Sequence, residues 1–224
     1  MSDPTVTDSP SRPKANRATL IVTLTVVALL AFAGFEHGLF EAMQGNRPTG
    51  APAGIQAIGE DMQWWVHGSE DAFTLIPNFL ITGIAAMAVS FFIFFVWPLF
   101  FPVKKYGVLV LLLSFVLLVL VGGGIGFIPF FLVTCAYATR LTKPLTWWRK
   151  VLGPGARRVL APLWPWALGF AVVCWLIGLE MAVVGYFPGL TDADTILYTC
   201  WSFLLATMIF INISYVCAFA ADIE

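Results

Sequence analysis

Charge is scarce in this chain. Only 11% of its 224 residues are Asp, Glu, Lys or Arg, against about 25% in soluble globular domains. The net charge is -1, so no nucleic-acid partner is expected. Histidine is scarcer still, at two in the whole chain. No H-E-x-x-H run and no P-loop lysine occur, which leaves the common zinc-hydrolase and nucleotide signatures without a match. The four cysteines, Cys135, Cys174, Cys200 and Cys217, form no C-x-x-C pair and lie in apolar runs. They read as small buried hydrophobes rather than as redox groups.

Apolar residues fill the remainder. They make up 59% of the chain, with a mean hydropathy of +0.87, too apolar for the surface of a protein of this size in water. Lipid is the expected solvent. Residues 1–17, rich in Pro, Ser, Thr and Asp, read as a disordered cytoplasmic tail, and residues 18–224 as a single transmembrane domain. Ala31-Phe32-Ala33 resembles a signal-peptidase site, but the run from Ala18 is taken as a retained first helix.

Five apolar segments follow from the pattern. They run from Ala18 to Phe40, Phe73 to Pro102, Gly107 to Thr139, Leu163 to Phe187 and Ile196 to Phe219. The third decides the topology. As one helix its 33 residues would span about 50 Å against a hydrocarbon core of about 30 Å. The tilt needed lies outside the usual range of about 0–40°. Gly122-Gly123-Gly124, Gly126 and Pro129 also oppose a continuous helix. The segment is therefore expected to be a glycine-broken hairpin, giving an all-α bundle with six legs. That arrangement gathers every basic residue except Arg47 on one side, which the positive-inside rule makes cytoplasmic. Both termini are then cytoplasmic, and a bacterial inner (plasma) membrane is the expected location.

Two stretches show amphipathic spacing. Ile55, Ile58, Met62 and Trp65 suggest an interfacial helix in the outer loop, residues 41–72. In the basic cytoplasmic loop, residues 140–160, Leu141, Leu145, Trp147 and Trp148 mix with cations. Arg149, Lys150, Arg157 and Arg158 there are candidates for anionic lipid head groups, or serve only as a topology anchor.

The candidate site residues gather by depth in the outer leaflet. Glu180 lies within an apolar segment, where an ionisable group marks a cavity or a partner; a hydrogen-bonded strut between helices is the alternative. Glu36 and His37 end the first segment, Asn78 begins the second, and Gly122, Gly123, Gly124 and Gly126 form the hairpin tip. Broken helices can offer backbone amides to a substrate, although a tight turn needs the same glycines. His37 and Glu41 are four residues apart, hence on one helix face, and His67 has Glu70 and Asp71 beside it. Imidazole and carboxylate together admit a divalent metal; interface hydrogen bonding is the plainer reading.

Three stretches, Gly34–Asn46 (GFEHGLFEAMQGN), Ile76–Gly83 (IPNFLITG) and Leu120–Gly126 (LVGGGIG), resemble an uncharacterised family of small bacterial membrane proteins. The resemblance covers about the first 140 residues and carries no activity or catalytic residue over. Three function classes stay open: a small permease or channel-like protein with an outward-facing polar pocket, an accessory or scaffold subunit of a larger membrane complex, and a membrane-embedded metal-dependent enzyme. The bilayer is one partner; another membrane protein or a second copy is admitted.

Overall fold

The computed structural model describes residues 15–67 and 71–224. The chain is a helical bundle capped at one end by a small β-hairpin. In order it forms α1 (Arg17–Met43), β1 (Ala53–Gln56), β2 (Asp71–Thr74), α2 (Phe79–Phe91), α3 (Trp97–Phe100), α4 (Gly107–Leu120), α5 (Ile128–Ala138), α6 (Thr146–Val151), α7 (Pro154–Leu160), α8 (Trp164–Val184) and α9 (Ala193–Ile223). A π-helical turn, Phe92–Val96, joins α2 to α3 without a break. Among the described residues four helical stretches are long and apolar enough to cross a membrane: Arg17–Met43, Phe79–Phe100, Pro154–Val184 and Ala193–Ile223. Two shorter apolar helices, α4 and α5, lie between them.

α1 is the central post. Val22, Val26, Leu30, Ala33, His37 and Glu41 are buried along it at helical spacing. It packs against α2, α5, α8 and α9. The α1–α2 contact is close because small residues meet there: a Cβ on Gly38 would lie 2.7 Å from the Gly83 carbonyl oxygen and 2.8 Å from the Met87 nitrogen. Such small-residue contacts let helix backbones approach where apolar burial gives no net drive between helices in lipid. Aromatic stacking fills the middle of the core, with Phe115 on Phe131 at 4.1 Å and Tyr137 on Tyr215 at 4.3 Å between ring centroids.

Between α4 and α5 the chain turns at residues 121–127, with Gly122 at φ 102° and Gly124 at φ 87°, a region that side chains with a Cβ rarely enter. The turn is fastened to the β-hairpin: Leu75 N–H donates to Leu120 O at 2.9 Å and Ile125 N–H to Asp71 O at 3.3 Å. At the opposite end Asp222 caps α1, accepting from Ala18 N and Thr19 N at 2.8 and 2.9 Å and from the Thr19 hydroxyl at 2.6 Å. Asn16 there donates to Leu141 O and Arg140 O. The start of α1, the 140–160 loop and the end of α9 therefore share one end of the bundle.

The loop at residues 41–72 departs from expectation. Ile55 lies in β1, and among the described residues the only helical piece near Ile58 and Met62 is a three-residue 3-10 turn, Glu60–Met62. Gly54 and Gly59 interrupt the helical spacing, and Ile55 and Ile58 are buried. The strand alternates instead, with Ile55 facing in. The second apolar segment likewise begins later than its hydropathy suggests, because Phe73 belongs to β2 and Asn78 caps the helix that starts at Phe79.

Candidate functional site

The site is built where α1 leaves the core. His37 and Glu41 continue the buried stripe of α1 by one further turn each, at 4% and 0% exposure. Their floor and lid come from the α4–α5 turn. A Cβ on Gly122 would collide with the Glu41 carboxylate, and one on Gly124 would lie 2.8 Å from His37 Nε2. The glycines are thus needed twice, for the positive φ and for the space the two side chains occupy. The His37 ring also stands edge-on to Phe127 at 5.4 Å between centroids, and Phe127 leans on Trp175 at the same separation.

Glu41 is the unusual member. Both of its carboxylate oxygens are enclosed and accept no hydrogen bond among the described residues. An enclosed polar atom left in that state costs about 1–3 kcal/mol, and more when charged. The fold tolerates that cost at one acid beside an imidazole. A narrow cleft borders His37 but not Glu41, lined by Glu36, His37, Phe40, Ala57, Ile58, Leu179 and Val183, with a volume of about 10 Å³. That is room for one water. Glu36 is half-buried on its wall.

No family model, curated protein or solved structure matches this chain.

The structure gathers part of the candidate set and disperses the rest. Glu36, His37, Glu41, Gly122 and Gly124 come together. Gly123 closes the end of α4, its N–H donating to Leu118 O at 2.8 Å. Gly126 is exposed, on the rim of a separate open cavity of about 370 Å³ with Asp71, Phe130 and Trp201. Asn78 caps α2 by accepting from Ile81 N at 3.1 Å and donates to the Asn46 side chain. Glu180 is exposed and lies outside the cleft, although its neighbours Leu179 and Val183 line it. One position along a helix turns a side chain by about 100°, which is enough to put Glu180 on the outer face of α8.

The metal set is also divided. His67 Nε2 pairs with Asp194 Oδ1 of α9 at 2.9 Å, and its ring packs edge-on against Trp65. Glu70 falls outside the described residues. Among the described residues no three His, Cys, Asp or Glu side chains are grouped so as to hold a metal ion. Near His67, Asp192 caps α9 and accepts from the Thr195 hydroxyl and backbone N–H, which hold its carboxyl below the usual aspartate range.

Two buried groups escaped the sequence reading. Ser90 Oγ and Trp175 Nε1 are enclosed without a hydrogen-bond partner among the described residues. Ser90 faces Gly34 of α1, and Trp175 belongs to the aromatic cluster below His37. No residue spacing marks either of them, because their neighbours are distant in sequence.

Proposed function

We propose that this is a six-legged inner-membrane protein with both termini in the cytoplasm. Its outer-end carboxyl–imidazole site takes up and releases a proton or a small monovalent cation, as a small permease would. The observation that carries this reading is Glu41: a fully enclosed carboxyl with both oxygens unpartnered among the described residues, one turn from His37. An acid inside a membrane helix is expensive and is retained where it faces an ion path or a partner group. The cleft beside His37, with room for one water, offers a route for a proton or a partly dehydrated ion.

Glu41→Gln tests the reading because the amide keeps the shape and removes the titratable proton. Wild-type protein in vesicles should move protons or alkali cations under an imposed gradient. The Gln variant should lose most of that flux while its melting temperature changes little. Equal flux from both proteins, or none above empty vesicles, would sink the proposal. Glu41→Leu separates the scaffold reading: a strut that needs no titration should tolerate both substitutions and still assemble with its partner.

A further inference from the structure

A second site lies at the other end of the bundle, where α6 and α7 fold beneath α9. Leu145, Trp148 and Leu152 form one face of this segment. Leu145 and Leu152 are buried, and Trp148 packs on Phe219 at 4.8 Å between ring centroids. That face holds the segment against the bundle. The other face is unusual for a polar loop, since Trp147 and Val151, one turn apart, are 61% and 55% exposed. Arg149 and Lys150 lie between them in sequence, and Arg158 is followed by Val159 at 65% exposure.

The charges at this end do not cancel. Its only described acids are Asp222 and Glu224. Asp222 is occupied by the first turn of α1. Glu224 Oε1 takes Arg157 Nε at 3.7 Å. Arg149, Lys150 and Arg158 make no ion pair among the described residues. Two unneutralised cations on α6 thus neighbour an exposed indole and an exposed valine, and a third on α7 adjoins a second exposed valine, both helices packing on α9.

We infer that α6 and α7 form a binding site for anionic phospholipid. Arg149, Lys150 and Arg158 hold the phosphate of the head group, and Trp147 and Val151 enter the acyl boundary beside it. Indole rings favour that boundary, and the guanidinium fork suits phosphate oxygens. Arg157 is excluded because its charge is already used. The site stands independently of the ion-handling site at the other end of the bundle.

Titrating the detergent-solubilised protein with phosphatidylglycerol, with bound lipid counted by native mass spectrometry, tests the inference. Each cation near an anionic surface contributes about fivefold in partitioning. The triple variant Arg149→Gln, Lys150→Gln, Arg158→Gln should therefore bind about a hundredfold more weakly. Lys104→Gln with Lys105→Gln, which removes cations from another turn, should leave affinity near wild type. Trp147→Ser with Val151→Ser should also weaken binding with every charge in place, and glycerol phosphate without acyl chains should not compete. Unchanged affinity in the triple variant would overturn the inference. So would an equal loss in the Lys104/Lys105 control, or full competition by glycerol phosphate.

Discussion

Gly122 shows how a single residue can be required by both its backbone and its neighbour. Its φ of 102° would strain any residue with a Cβ by about 1–3 kcal/mol, and that Cβ would meet the Glu41 carboxylate. Gly122→Ala should therefore lower the thermal stability of the detergent-solubilised protein clearly. Combining it with Glu41→Ala should recover the part due to collision and leave the part due to backbone strain. Gly126→Ala is the matched control, since nothing lies within 4 Å of its added Cβ, and it should be close to silent. If Gly122→Ala melts like wild type, the close seat of Glu41 against the turn is wrong. Part of this site is legible in the sequence: His37 and Glu41 share a helix face by spacing alone, and three consecutive glycines announce a turn. Sequence depth cannot report the direction of a side chain around its helix, which is why depth alone groups Glu180 with a cleft that its neighbours line and it does not.

Among the elements, the α1–α2 pair depends most on small side chains. Gly83 sits so close to α1 that an added Cβ would reach the Gly38 carbonyl oxygen and the Ala42 nitrogen. Both are backbone atoms and cannot rotate away. Gly83→Ala should cost about 1–3 kcal/mol through overpacking, visible as a lowered melting temperature, and should also disturb His37 and Glu41 on the α1 turns beside it. Gly169 in α8 has open space around it. Gly169→Ala should instead stabilise by about 0.5–1 kcal/mol by restricting the unfolded chain. A stable Gly83→Ala protein would mean that the two helices lie further apart. The sequence pattern located α1, α8 and α9 to within a few residues because their apolar runs are long, and missed the start of α2 by six because Phe73 belongs to β2. The β-hairpin of the cap escaped it: β1 is four residues long, too short for period two and period 3.6 to differ. The contacts of Trp65 with Ala182 O and of His67 with Asp194 join positions 117 and 127 residues apart, which no local pattern encodes.

Across the whole molecule, charge is sorted by end. Arg47 is the one described Lys or Arg beside the β-hairpin cap, near Glu60 and Asp61, whereas Arg140, Lys143, Arg149, Lys150, Arg157 and Arg158 belong to the end where Asn16 and Asp222 hold the start of α1. Such polarity orients a bundle in a bilayer through the basic loops. α4 and α5, at 14 and 11 residues, reach only about 21 and 17 Å at 1.5 Å per residue, short of a hydrocarbon core of about 30 Å. Their turn nevertheless meets β2, through Ile125 N–H to Asp71 O at 3.3 Å. The cap is thus bonded to the tip of the short hairpin. If the pair crosses and returns in this way, Val103 and Thr142 must lie on the same side of the membrane, with Thr191 opposite. Single cysteines at these three positions, in a background with the four native cysteines replaced by alanine, report the sides through a membrane-impermeant maleimide. Val103→Cys and Thr142→Cys should label together from the cytoplasmic face, and Thr191→Cys from the outside. Labelling of Val103→Cys and Thr142→Cys from opposite faces would make residues 107–139 a single crossing. It would also reverse the side on which α8 begins and break the charge sorting that orients the protein.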